Sequence, residues 1–375
     1  AVSDAVSDAV SDAVSDTAPD TVPDPSPPGV LAYTKVDHFI QGNLHAVRWH
    51  PSGTWALVLG TSGKVSRYDV GGTLTPVATL GDAVLDLDIR PDGDAFFVVG
   101  QQDDAGVLWR VWEDDAGAVS TAVAEALQWG LGQAVAFEPN TDAPRFVVGA
   151  STASGLNYLY HWQDGVGVLD YSAFAGGTIY DLMWSNPSLH SGSRAVITSE
   201  GWGAIGSHTW LVDPDILDTS GFSGGNPGGA GFRPGGTFGA LAGWTSNVLY
   251  VFSGTWKSTY LPGVNNGASP QAVVWRADGS RALVVGSVTG TNKAATVFEI
   301  RAGAAEDFDV GLLVNQSIPD FDDGPWFGDF NTTLFDADWR PGACDEGLIV
   351  GTDTASASFG LLIRFVDTDD AACPP

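Results

Sequence analysis

Runs of apolar residues broken by polar corners recur along the whole of this chain. The clearest unit is LDLDIRPDGDAFFVVG, from Leu85 to Gly100. It reads as two antiparallel strands joined by a tight Pro-Asp-Gly turn. Proline presets the first φ of the turn, Asp tolerates the corner, and Gly takes the positive φ that follows. Variants follow the same plan: AVRWHPSGTWALVLG from Ala46, AVAFEPNTDAPRFVVGA from Ala134, DLMWSNPSLHSGSRAVITS from Asp181, GAGFRPGGTFGALAG from Gly229, AVVWRADGSRALVVG from Ala272 and DADWRPGACDEGLIVG from Asp336. A large apolar residue closes the first strand of each unit: Trp49, Ile89, Phe137, Trp184, Phe232, Trp275 and Trp339. No stretch sustains a 3.6-residue apolar period, so almost no helix is expected.

The closing residues are spaced 40 to 64 residues apart, room for four strands per unit. A large apolar residue recurring at that period is how a β-propeller reads in sequence. The expected fold is all-β, a seven-bladed β-propeller. Before the first unit lies another strand, VLAYTKVDHFIQ (Val30 to Gln41). The last unit ends with its third strand, LLIRFVD (Leu361 to Asp367). The N-terminal strand is therefore expected to complete the last blade and close the ring. Two regions follow: a low-complexity acidic Ser/Asp/Pro tail over 1–29 and the propeller over 30–375.

The unit resembles the WD-repeat family in its inner strand, its Pro-Asp-Gly turn, a second strand ending in Gly, and a third ending near Trp-Asp. The third strands are KVSRYD, VLWRVWED, NYLYHWQD, HTWLVD, VLYVFSG, TVFEI and LLIRFVD. The likeness spans residues 30 to 367. It departs from the family in lacking Gly-His before the inner strand. What it implies is the fold; it carries no function with it.

Composition narrows the partners. Lys and Arg number 16 against 45 Asp and Glu, a formal net charge of −29. Phosphate neutralisation needs a basic face, so nucleic acid is not an expected partner, and anionic membrane surfaces are disfavoured for the same reason. No apolar run is long enough to insert in a membrane. The tail places Asp at every fourth residue from Asp4 to Asp24 and ends in a Pro-rich stretch. It cannot bury enough surface to order by itself and reads as a spacer. Its alternation also suits an extended strand laid along another copy's sheet edge. The chain opens at Ala1 with no Met, which reads as a processed mature protein. Cys344 and Cys373 can meet on one face of the last blade and form a disulfide, which implies an extracellular or cell-surface setting.

Candidate chemistry gathers on the face where inner strands begin. Trp129, Trp202, Trp244 and Trp326 fall in its loops, and Asp86, Asp181 and Asp336 occupy equivalent positions on inner strands. Aromatic plates beside carboxylates can stack on sugar rings or hold a cationic group. Asp320, Asp322 and Asp323 with Gly324 resemble an oxygen-ligand loop for Ca²⁺, without the remaining ligands of a helix-flanked site. The opposite face carries Arg90, Arg233, Arg276 and Arg340, either a basic ring or turn punctuation. GFSGG (Gly221 to Gly225) matches the nucleophile-elbow pattern but lacks its strand-to-helix setting. The leading expectation is a non-enzymatic binding or scaffold protein that recognises a protein or carbohydrate at the cell surface through the Trp/Asp face. The alternatives are a subunit that assembles with copies of itself through the tail, and a metal-dependent hydrolase or lactonase using Asp86, Asp181 and Asp336.

Overall fold

In the computed structural model the described residues are 31–36, 42–138, 144–175, 178–184, 194–199, 205–211, 217–222, 227–234, 239–243, 248–252, 256–260, 268–288, 295–301, 314–317, 332–342, 346–353 and 359–367. Among them there is no helix. The first strand is β1 (Leu31–Lys35). Sheet 1 then comprises β2 (Leu44–Trp49), β3 (Trp55–Gly60), β4 (Lys64–Asp69) and β5 (Thr73–Thr79). Sheet 2 comprises β6 (Ala83–Ile89), β7 (Phe96–Gln102), β8 (Ala105–Glu113) and β9 (Val119–Ala126). Sheet 3 comprises β10 (Leu131–Phe137), β11 (Arg145–Ser151), β12 (Leu156–Gln163) and β13 (Gly167–Ala175). Sheet 4 runs from β14 (Ile179–Trp184) through β15 (Arg194–Ser199) and β16 (Ile205–Leu211) to β17 (Leu217–Phe222). Sheet 5 runs from β18 (Pro227–Phe232) through β19 (Gly239–Gly243) and β20 (Val248–Phe252) to β21 (Trp256–Tyr260). Sheet 6 runs from β22 (Ala268–Trp275) through β23 (Arg281–Val288) and β24 (Ala295–Arg301) to β25 (Val314–Ser317). The last sheet has the order β1-β28-β27-β26, from β26 (Thr332–Trp339), β27 (Glu346–Asp353) and β28 (Phe359–Asp367).

All seven sheets are four-stranded and antiparallel, and β1 pairs with β28 from Leu31 opposite Asp367 to Lys35 opposite Ile363. Inner strands touch in succession: β2 with β6, then β10, β14, β18, β22 and β26, which returns to β2. Burial grades outward within a sheet. β3 is buried at every residue, whereas the outer β5 is exposed or half-buried throughout. β3 is apolar throughout because both of its faces are covered, Trp55, Leu57 and Leu59 packing in one core and Ala56 and Val58 in the other.

Two expectations are corrected here. The first is closure by the N-terminal strand. Each sheet is open and none closes on itself; β1 is the outer edge of its sheet, while the seam is shut by packing of β2 against β26. The second is a set of seven equivalent WD-type blades. Among the described residues, five packed cores join neighbouring sheets, one of them across the seam through Leu44, Val47, Trp49, Leu348, Val350 and Leu362. Inner strand β18, PGGAGF, brings only Ala230 and Phe232 as apolar side chains, so the units differ in how they pack. The acidic tail, Cys344 and Cys373 lie outside the described residues.

Every inner strand carries a bulge or register shift two to five residues before its closing residue, as between Val84 and Asp86 or Leu334 and Asp336. A bulge adds one residue, bends the strand and re-aims the side chain that follows. The partner strand answers with glycine: a Cβ on Gly100 would stand 2.1 Å from the Ala83 carbonyl oxygen. The side chains re-aimed in this way join one sheet to the next. Where the closing residue is Trp, its indole N–H can donate backward to the previous inner strand. Trp184 Nε1 donates to Ala136 O at 2.8 Å, Trp275 to Gly231 O at 3.0 Å and Trp339 to Val274 O at 3.2 Å.

Replacing Trp184 by Phe keeps an aromatic side chain but removes this donor together with part of the buried indole, leaving the Ala136 carbonyl unmatched. The expected cost is about 1–2 kcal/mol, read as a lower urea midpoint with unchanged slope; an unchanged midpoint would show that the indole bond does not join the sheets.

Candidate functional site

The inner-strand acids form the first candidate. Asp86 Oδ1 accepts from Leu87 N on its own strand at 2.8 Å, and its Oδ2 accepts from Val135 N on the next inner strand at 2.9 Å. Asp88 repeats this with Ile89 N and Phe137 N, both at 2.8 Å. Asp181 does so with Leu182 N and Ala230 N, again at 2.8 Å each. Across the seam Asp336 takes Val47 N at 3.0 Å and Asp338 takes Trp49 N at 2.7 Å. Arg48 stands among them, its Nη1 2.6 Å from Asp336 Oδ2 and 2.7 Å from Val47 O.

Burial sets their electrostatics. Loss of water raises Asp181 and Asp338 to about 7, and their backbone hydrogen bonds and Arg48 only partly offset it. Asp86, Asp88 and Asp336 are raised for the same reason, against the pull of Arg48. Burial alone would lower Arg48, but Asp336, Asp338, Asp86 and Asp88 hold it well above its ordinary value. Among the described residues no group of three or more His, Cys, Asp or Glu is disposed to hold a metal ion. The carboxylates a hydrolase would need for its metal instead accept backbone amides.

The turn residues have a comparable use. Arg340 Nε donates to Gly53 O and Arg233 Nε to Gly279 O, both at 2.7 Å, and each acceptor lies in the next sheet's turn. His50 Nε2 lies 3.0 Å from Gly93 O in the same relation. Gly53 has φ +66°, and a Cβ there would stand 2.2 Å from Pro341 O, so this turn admits only glycine. Arg90 pairs with Asp92 and, at 2.8 Å, with Asp164 of sheet 3; Arg276 pairs with Asp278. The four arginines are turn punctuation and not a free basic ring.

The second candidate is aromatic. Trp129, between sheets 2 and 3, is 45% exposed and stacks on Tyr158 at 6.1 Å with 22° between planes. Tyr158 stacks on Tyr160, and Tyr160 lies 6.3 Å from Tyr171 on β13. The Trp129 backbone is clamped at both ends: its N–H donates to Tyr160 Oη at 2.7 Å, and that hydroxyl donates to Trp129 O at 2.9 Å. Burial raises the Tyr160 hydroxyl to about 12, so it stays a donor. The large apolar side chains exposed among the described residues are Val123 on β9, Trp129 in the connection between sheets 2 and 3, and Leu156, Val166, Val168, Leu169 and Tyr171 in sheet 3. A bulge between His161 and Trp162 leaves Leu169 without an opposite residue.

Of the residues singled out from sequence, Trp129 belongs to this border, and Asp86, Asp181 and Asp336 belong to the inner ring. Trp202, Trp244, Trp326, Asp320, Asp322 and Asp323 lie outside the described residues. Sequence reasoning missed Asp88, Asp338, Arg48 and the tyrosines. The Asp-Leu-Asp and Asp-Ala-Asp alternations and the spacing of NYLYHW were the available signals.

With this geometry the chain is an all-β protein of propeller-like architecture, bearing one aromatic border and an inner ring of engaged acids. No protein-family model matches it, and no curated protein matches it either. The WD-repeat likeness is corrected to likeness of arrangement. No helix among the described residues is long and apolar enough to cross a membrane.

A carboxyl that binds its proton more tightly when folded stabilises the fold at low pH and loses that contribution as pH rises through its folded value. Asp181 and Asp338 therefore make stability fall between about pH 4 and pH 7, by roughly 2–4 kcal/mol each. Glu346 acts at lower pH: burial would raise it, but bonds from Arg364 and Arg340 hold it below its ordinary value. Asn at 181 or 338 keeps an acceptor for the amide and abolishes the ionisation. Each variant is expected to melt higher than the parent at pH 7.5 and to show a flatter pH profile; a parent whose melting temperature rises from pH 4.5 to 7.5 would contradict this.

Proposed function

We propose that this protein is a non-enzymatic binding module that takes a protein or carbohydrate partner on the border between sheets 2 and 3. The observation that carries the reading is the row of rings that runs from the exposed Trp129 through Tyr158 and Tyr160 to the exposed Tyr171. Isolated apolar residues are ordinary on a surface, but a contiguous rimmed patch marks a contact. Trp and Tyr bring large area and a polar tip, and are enriched where binding energy concentrates. The double hydrogen bond from Tyr160 fixes the Trp129 backbone in advance, so less ordering remains to be done on binding. The acidic, lysine-poor composition supports work outside the cell, with a partner that is neutral or cationic.

The test compares the parent with a Trp129→Ala/Tyr171→Ser double variant on a glycan array and a panel of surface proteins. Partners held by the parent are expected to weaken by about thirtyfold or more in the variant, with the melting temperature unchanged. Partners bound equally by both proteins would place the contact elsewhere.

A further inference from the structure

A cleft of about 420 Å³ opens between the outer strands of sheets 2 and 3, lined by Arg110, Trp112, Val123, Glu125, Trp162 and Val166 among others. Its volume falls within the range of small-ligand sites. Two opposite charges line it, and neither is neutralised. Arg110 lies over the Trp112 ring at 5.6 Å, its Nε is buried without an acceptor, and among the described residues no carboxylate pairs with it. In a chain of 45 acids and 16 bases, a guanidinium left over is an exception. Glu125 reaches the other way, toward the turn of sheet 3, where its Oε2 would stand 3.7 Å from a Cβ on Gly167. It too has no ion pair among the described residues. Asp164, the other acid of the cleft, is held by Arg90 at 2.8 Å.

Register explains the separation. Arg110 stands opposite Ala122 and Glu125 opposite Leu108, with a bulge at Ala124 between the pairs, so the two are offset by two positions along β8 and three along β9. Diagonal neighbours lie about 7–8 Å apart at the backbone, and the two charged groups make no ion pair with each other among the described residues. A group bearing both charges can bridge them, with a hydrogen bond of about 2.8 Å at each end. Guanidinium forks fit carboxylates, Glu125 accepts from an ammonium, and Trp112 with the exposed Val123 and Val166 offers apolar surface for a side chain. The formal charge of −29 repels anions at a distance and leaves a net-neutral zwitterion unaffected. We propose that this cleft binds a free α-amino acid with a large apolar side chain, its carboxylate on Arg110 and its ammonium on Glu125. The site goes beyond the partner border, since its polar contacts involve neither Trp129 nor Tyr171.

The test is calorimetric titration of the whole chain with L-phenylalanine, L-phenylalaninamide (no carboxylate) and N-acetyl-L-phenylalanine (no ammonium). Phenylalanine is expected to saturate, and each analogue to bind at least about tenfold more weakly. Arg110→Leu should bind phenylalanine and its amide alike, and Glu125→Gln should bind phenylalanine and its N-acetyl form alike. Arg110→Lys, which keeps the charge without the fork, should retain part of the preference for the carboxylate. Absence of saturation with phenylalanine overturns the proposal. So does equal binding of all three probes by the parent, or variants that keep the parent's selectivity.

Discussion

Each inner strand has one edge with no strand beside it, and its amides there must find acceptors. Buried amides without a partner are costly, so this edge constrains everything built outside it. The protein meets the demand with carboxylates from the preceding sheet. Asp86 and Asp88 serve β10, Asp181 serves β18, and Asp336 and Asp338 serve β2 across the seam. Each acid thus does two things at once: it satisfies an edge and it joins two sheets. The bulge before it points the carboxylate at its neighbour.

This arrangement limits which sheets can carry acids. A sheet that receives the bond has a small residue where its neighbour has Asp: Ala134, Gly229 and Ala46. Seven sheets cannot alternate all the way round, and sheets 5 and 6 are successive small ones, with Gly229 and Ala272. There the indole of Trp275 makes the junction in place of an acid. Between sheets 1 and 2, His50 reaches the turn at Gly93. Three chemistries at three fixed positions therefore build one kind of joint.

How much of this could be read from the sequence depends on distance along the chain. The Pro-Asp-Gly corner of Leu85–Gly100 and its closing Ile89 are local signals, and the strands either side of them are where the alternation put them. The equivalence of Asp86, Asp181 and Asp336 was also legible, because it is a matter of spacing from the closing residue. What those acids bind was not. Their partners lie 49 or 289 residues away, and the bulge that aims them leaves no mark in composition. The same holds for Arg48, whose neighbours come from other sheets, and for Tyr171, whose place beside Tyr160 follows from pairing register. Trp129 could be singled out as a loop aromatic, but the hydroxyl that clamps its backbone comes from a strand thirty-one residues later.

The raised carboxyls change what the count of acids means. A formal charge of −29 describes the chain with every acid ionised. In the assembled ring Asp181 and Asp338 still hold protons for part of the time near neutrality. Folding therefore takes up protons from the medium, and the native molecule should migrate in an electric field as a less acidic particle than its own unfolded chain.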